Sequence, residues 1–157
     1  MAIRVKITDI IDALDSQSFD VWAFLNKNTG EIMLIGEEEK NLAEENELID
    51  DLPDWQKEAI KFMQDVMSQS KNCIALPTKF DIHEYGIMKK FCADIEDEQI
   101  CEIFEDLIQG SGAFGRFKDA IDKHGIADDW YAYRTNALKE IAIEWCRENN
   151  IEFEDIT

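Results

Sequence analysis

The residues best suited to chemistry by type and spacing run Gly110-Ser111-Gly112-Ala113-Phe114-Gly115-Arg116-Phe117-Lys118-Asp119. Two readings follow. In the first, the segment is an anion site: Gly112 lets backbone approach a ligand closely, free amides at a helix start point outward, and Arg116 with Lys118 adds positive charge. In the second it is a helix junction: Gly110 ends one helix, Ser111 caps the next, Phe114 and Phe117 pack as an i, i+3 core pair, and both cations sit in water. No Gly-Lys-Ser/Thr follows the glycines, as a P-loop requires, and a helix rather than a strand is expected before them, unlike a dinucleotide fingerprint. The residue types favour the junction over the anion site.

A second cluster lies nearer the C-terminus. On a helix, Trp130, Arg134, Leu138, Ile141 and Trp145 share one face, so a guanidinium lies among large apolar groups. Arg134 is then either a stacked, paired structural residue or the polar point of a binding groove, and if partly buried it requires a carboxylate or carbonyl partner. Structural pairing is the simpler reading. Gly112, Arg116, Lys118, Trp130 and Arg134 are the candidate ligand or partner contacts.

No catalytic, metal or cofactor set accompanies them. His83 and His124 have no sequence partner placed as a nucleophile or metal ligand and read as surface or boundary histidines. The acidic pairs Asp128-Asp129 and Glu96-Asp97 are explained by helix-start charge without a cation. Cys73, Cys92, Cys101 and Cys146 form no Cys-x-x-Cys pair, which supports neither a zinc ribbon nor a redox motif and reads as reduced thiols. No Gly-x-Ser-x-Gly elbow or His-Glu-x-x-His helix is present, so the reading leans away from an enzyme.

The elements that must position these residues follow from apolar spacing. Ile7, Ile10, Ile11 and Leu14 mark a first helix. Asp20 to Asn26 and Ile32 to Ile35 form a hairpin around Lys27-Asn28-Thr29-Gly30. Glu37 to Asp54, with nine acids and Lys40, reads as an acidic connection, solvated in its middle or a loosely held helix. Pro53-Asp54 opens a helix with Trp55, Ala59, Phe62, Met63 and Val66 on one face, ending near Ser70. Cys73 to Leu76 is a third strand covering the hairpin, stopped by Pro77. Four helices follow: one capped by Asp81 with Glu84 and running to Cys92, one over Ile100, Ile103, Phe104 and Leu107, one from Phe114 through Phe117 and Ile121, and one capped by Asp128 or Asp129 and ending at Asn149-Asn150. The fold class is α+β: a small three-stranded antiparallel sheet, hairpin plus one strand, packed with a mostly helical C-terminal half. The 157 residues are expected to form a single domain, with 1–36 a helix and hairpin, 37–54 the acidic connection, and 55–157 a helix, short strand and four-helix region.

Charge narrows the partner. A net charge of −19 disfavours general nucleic-acid binding, which depends on cations neutralising phosphates. Residues 1–70 hold 16 acids and 6 bases, whereas residues 113–147 hold 6 of each, so the neutral segment begins near the glycine-rich motif and is the least repulsive place for an anion. No apolar run approaches the roughly 18 residues of a membrane span, and no signal-type apolar core follows Met1 to Lys6; no membrane contact and a cytoplasmic location are expected.

The pattern Gly110-x-Gly112-Ala113-Phe114-x-Arg116-Phe117-Lys118-Asp119, then Trp130-x-x-Tyr133-Arg134, Glu144-Trp145 and Glu148-Asn149, resembles a bacterial family of uncharacterised proteins. The similarity runs from about Leu76 to Phe153 and reaches Phe24-Leu25 and Thr29-Gly30-Glu31 in the hairpin. The resemblance implies a bacterial origin and an α+β fold, with no established activity to transfer; family members often carry a second arginine where this chain has Gly115. Two functions remain. One is a non-enzymatic binding or regulatory module that meets a macromolecular partner, a protein above all, through the 113–147 surface. The alternative is an enzyme or sensor for a small phosphorylated or carboxylated ligand, held by Arg116, Lys118 and Arg134 converging on one site. A third idea, an acidic mimic of nucleic acid over 37–54, requires regularly spaced charge on an ordered face.

Overall fold

A computed structural model describes residues 4–18, 20–45, 51–67 and 73–155. In chain order the elements are β1 (Arg4–Lys6), α1 (Ile7–Ser16), β2 (Val21–Asn26), β3 (Ile32–Gly36), α2 (Glu37–Glu45), α3 (Asp54–Met67), β4 (Cys73–Ala75), α4 (Lys79–Ile82), α5 (Glu84–Ala93), α6 (Glu98–Leu107), α7 (Ala113–Lys123), α8 (Ala127–Glu148) and β5 (Glu152–Glu154). They divide into two compact units, one of Met1–Ile82 with Ile141–Thr157, the other of His83–Glu140. None of these helices is long and apolar enough to cross a membrane.

The first unit is built on an antiparallel sheet ordered β3-β2-β4, the hairpin plus the third strand expected from the sequence. The hairpin closes because Asn26 N–H donates to Glu31 O (2.9 Å) and Gly30 N–H to Asn26 O (2.8 Å), with Gly30 at φ +76° supplying the left-handed residue. Side chains alternate across the strands. Phe24 and Ile35 point to one face and pack with Ala43 of α2 and Ala59, Ile60, Phe62 and Met63 of α3. The opposite face buries Ala23 and Leu25 and meets α1, whose Ile7, Ile10 and Leu14 are buried. Of the two readings of the acidic stretch 37–54, the helix holds over its first half, and α2 is packed rather than loosely held, because Ala43 is buried and Leu42 lies against the same cluster. Glu37, Glu38 and Glu39 suit its first turn, where helix-dipole charge favours carboxylates. Residues 46–50 lie outside the described residues, as does the expected end of α3 near Ser70; the side chain of Val66 is likewise not described.

One pairing escapes periodicity. β1 and β5, three residues each, run parallel with Arg4 opposite Glu152 and Lys6 opposite Glu154. Runs this short carry too few side chains for an alternation to register.

Helix ends differ from the expected ones for local reasons. The capping box is Thr78 with Asp81, not Asp81 with Glu84: Thr78 Oγ1 accepts from Asp81 N–H (3.2 Å) and Asp81 Oδ2 accepts from Thr78 N–H (2.9 Å). The expected helix to Cys92 is two helices because His83 sits at φ +53° between α4 and α5. Asp128 and Asp129 lie in the first turn of α8 rather than capping it, since the helix already starts at Ala127. Its end falls as expected, with Asn150 at φ +57° and Ile151 N–H closing back on Cys146 O (2.8 Å).

The second unit is held by aromatic edges. Phe117 of α7 meets Phe104 of α6 (5.9 Å between centroids), Phe91 of α5 (6.1 Å) and Trp130 of α8 (4.8 Å), all steeply tilted.

Gln17 is a buried amide with two duties in the first unit: its Oε1 accepts from Ala23 N–H (3.0 Å) and its Nε2 donates to Pro77 O (2.7 Å). Gln17→Leu orphans both backbone groups and is expected to lower unfolding stability by about 2–4 kcal/mol in urea titration. The thiols of Cys92 and Cys146 are pushed up to about 11, for both chiefly by burial. Their contribution to stability is therefore complete below the ordinary value of 9.0 and lost as pH rises from there toward about 11. Denaturation measured across that window is expected to show a steeper fall for the wild type than for Cys92→Ala/Cys146→Ala.

Candidate functional site

A helix ends with carbonyls that no later turn can satisfy, and α6 ends at a sharp junction that leaves no room for another turn. Asp97 opens α6 by accepting from Gln99 N–H (3.0 Å) and Ile100 N–H (3.2 Å) through Oδ1. At the other end the chain reverses through Gly110 (φ +76°) and Gly112 (φ +79°) into α7. The carbonyls exposed by this reversal are collected by one side chain from the next helix. Arg116 Nε donates to Leu107 O (2.8 Å), Nη2 to Gln109 O (2.6 Å) and Nη1 to Ser111 O (2.6 Å). Only a planar, forked cation can span three acceptors in this way, and its charge sits at the negative end of the α6 dipole. Tyr85 of α5 adds a fourth donor, its hydroxyl reaching Ile108 O (3.0 Å).

Gly112 is needed twice over. Its positive φ disfavours a side chain, and a Cβ there would lie 3.1 Å from Arg116 Nη1. Ser111, expected as the N-cap of α7, is not: Gly112 occupies that position without a side-chain cap, and Ser111 contributes its carbonyl to Arg116 instead.

The two phenylalanines part company. The buried stripe of α7 is Ala113, Phe117, Ala120 and Ile121, so Phe117 is in the core while Phe114 falls on the flank, 42% exposed and edge-on to Tyr85 (6.4 Å). Lys118 lies one turn further along that flank, also exposed. The expected i, i+3 core pair is thus half core and half surface, and Arg116 is held on carbonyls rather than free in water.

Trp130 is buried against Phe91 (5.3 Å) and Phe117 (4.8 Å) and supports the surface from below. Arg134 Nε donates to Glu84 Oε1 (2.6 Å) in a half-buried ion pair, so that of the carboxylate or carbonyl its position called for, a carboxylate is present. The structure therefore joins Gly112 to Arg116, sets Lys118 beside Phe114, and places Trp130 and Arg134 in supporting roles. Sequence spacing did not point to Tyr85 or Glu84, because their partners lie 23 and 50 residues away. Burial raises the Tyr133 hydroxyl above its ordinary range, with the negative charge of Asp94 adding to the shift. Cys101, whose thiol donates to Cys92 O (3.1 Å), is also raised, first by desolvation and then by Glu105. Raised thiols are protonated and weakly nucleophilic at neutral pH.

An α+β chain whose best-defined local feature is an arginine-clamped, glycine-lined helix junction is the class that this geometry defines. Residues 1–155 match the uncharacterised protein family UPF0158, and the chain belongs to it. It is similar to a UPF0158 protein of Pseudomonas aeruginosa, 21% identical over 149 residues that cover 94% of this chain and 84% of the relative. No solved structure matches it.

Arg116→Ala leaves the α6–α7 carbonyls to water and is expected to cost about 1–2 kcal/mol, with Arg116→Lys recovering little because an ammonium cannot bridge all three. Gly112→Ala alone is expected to cost about 1–2 kcal/mol from its left-handed backbone. Because the Gly112 Cβ would act on Arg116 itself, thermal denaturation of the double variant is expected to fall short of the sum of the singles.

Proposed function

We propose that this protein is a non-enzymatic binding or regulatory module of the bacterial cytoplasm that contacts a protein partner through the 113–147 surface, centred on the α7 flank. The observation that carries the reading is the Arg116 clamp: three carbonyls on one guanidinium immobilise the junction, so that Phe114 is presented on a rigid support with Lys118 one turn away. A pre-ordered aromatic anchor beside a cation spends little conformational entropy on association, and aromatic anchors of this kind dominate protein interfaces. The anion-binding alternative draws less support. Of its three cations, Arg116 already uses one N–H from each of its nitrogens on backbone carbonyls and Arg134 donates to Glu84, so both guanidiniums are oriented by intramolecular partners rather than toward an anion. The chain's net charge adds long-range repulsion against such a ligand and against nucleic acid alike.

Affinity capture from the native cell lysate with the wild type and with Phe114→Ser/Lys118→Glu, a pair that leaves the clamp and the core in place, tests the proposal. A protein retained by the wild type and reduced about tenfold or more by the variant, at matched thermal stability, is the expected result. Equal retention by both, or capture abolished by free phosphate rather than by the substitutions, overturns it.

A further inference from the structure

We infer that the outer edge of β3 is a docking site for an extended, basic peptide segment of a partner protein, which adds to the sheet as a fourth strand in the groove between β3 and α1. The inference stands independently of the α7 surface, since every residue it uses lies in the first unit.

Backbone alternation comes first. In an antiparallel pair, residues alternately exchange both hydrogen bonds with their partner and point both groups away. Asn26 N–H donating to Glu31 O makes that pair a bonded one. The β2–β3 register then makes Phe24 with Met33 and Trp22 with Ile35 bonded pairs, and turns the N–H and C=O of Ile32 and Leu34 outward. Among the described residues none hydrogen-bonds to these outward groups.

The other edge of the same sheet is treated differently. On β4, Leu76 N–H donates to Ala23 O, so the groups of Ala75 point outward, and the Ala75 carbonyl is taken by the Trp145 indole N–H (3.1 Å). β4 is also only three residues long and is followed by Pro77. Natural sheets shield edges in such ways because an open edge recruits another strand. β3, five residues and about 17 Å long, carries no plug of this kind among the described residues.

A groove runs along that open edge. Asp9, Asp12 and Ala13 of α1, at i, i+3 and i+4, form one wall, and Glu31, Ile32 and Leu34 the other, around a cavity of about 430 Å³. Leu34 is 43% exposed in it. This is the geometry of strand addition: main-chain bonds to Ile32 and Leu34 supply affinity, and alternate side chains of the guest face the helix wall. The lining determines which guest. Among the described residues three carboxylates and no lysine or arginine border the groove, so the guest side chains that face it are lysine or arginine, with an apolar residue against Leu34. A second copy of this chain fits poorly, because pairing β3 with β3 would bring two such acidic rims together on chains that each carry −19.

The test uses the full chain with a synthetic hexapeptide of alternating lysine and valine. Its controls are the same peptide N-methylated at alternate amides and a glutamate–valine counterpart. Amide hydrogen exchange and chemical shifts report the site directly. The expected result is slowed exchange at Ile32 and Leu34 by about tenfold or more at saturating peptide, together with loss of binding on N-methylation and in the acidic peptide. Asp9→Asn/Asp12→Asn/Glu31→Gln is expected to weaken binding by roughly tenfold at low salt. Leu34→Pro removes the outward N–H while the bonds of Met33 and Ile35 to β2 stay in place, and is expected to abolish binding; the carboxylate variant keeps the test decisive if that proline impairs folding. Binding that leaves Ile32 and Leu34 unprotected, binding undiminished by N-methylation, or no binding at about 1 mM peptide would overturn the inference.

Discussion

A backbone N–H or C=O that leaves a helix or sheet ladder must be satisfied by something else, and this protein meets that constraint with a few long polar side chains reaching across sequence. Arg116 collects the carbonyls left by the end of α6, with Tyr85 beside it. Gln17 completes the bonding of β2 and the segment after β4, and Trp145 covers the outer carbonyl of β4. These contacts decide where the chain can turn. Without the Arg116 fork, the reversal at Gly110 and Gly112 would leave the carbonyls of Leu107, Gln109 and Ser111 to water, and α7 would be held by its buried stripe alone.

The same constraint explains why the surface is not uniform. Where a side chain meets the backbone demand, as at α6–α7, the junction is fixed and the residues it carries are displayed from a rigid base. Where none does among the described residues, as along the outer edge of β3, hydrogen-bonding groups face a groove. Both are local consequences of backbone accounting rather than of any cluster of reactive groups.

Charge works alongside this in a supporting role. Many of the acids lie where a carboxylate is favoured, in the first turns of helices or at caps, as with Glu37 to Glu39 of α2 and Asp97 of α6. Some acids are paired: Glu84 holds Arg134, and Gln56 donates to the buried Glu39 (3.3 Å). Lys40, the single base in its acidic stretch, rests 4.9 Å over the Trp22 ring, where its charge meets an aromatic face as well as its acidic neighbours.

Much of the fold was legible in the sequence. Alternation around Trp22 and Phe24, the turn residues before Gly30 and the short apolar run at Cys73 predicted the β3-β2-β4 sheet, and the helical spacing of Ile7, Ile10 and Leu14 or of Phe117 and Ile121 predicted α1 and α7. Periodicity reports which face of an element is buried, because that depends only on residues of the same element. The glycine-rich motif named Arg116 and Gly112, and the apolar face around Arg134 called for a carboxylate or carbonyl partner. Periodicity could not assign the partners. Arg116 on three carbonyls, Gln17 on Ala23 and Pro77, and β1 beside β5 each depend on where distant segments meet. Of the solvated connection and the loosely held helix that the acidic stretch allowed, the helix formed and packed as α2, because Ala43 is buried against the sheet. The sequence alone determined the elements and their apolar faces through local spacing; tertiary structure alone decided which backbone groups are satisfied and which stay open, because hydrogen bonds are made by coordinates in space and not by intervals along the chain.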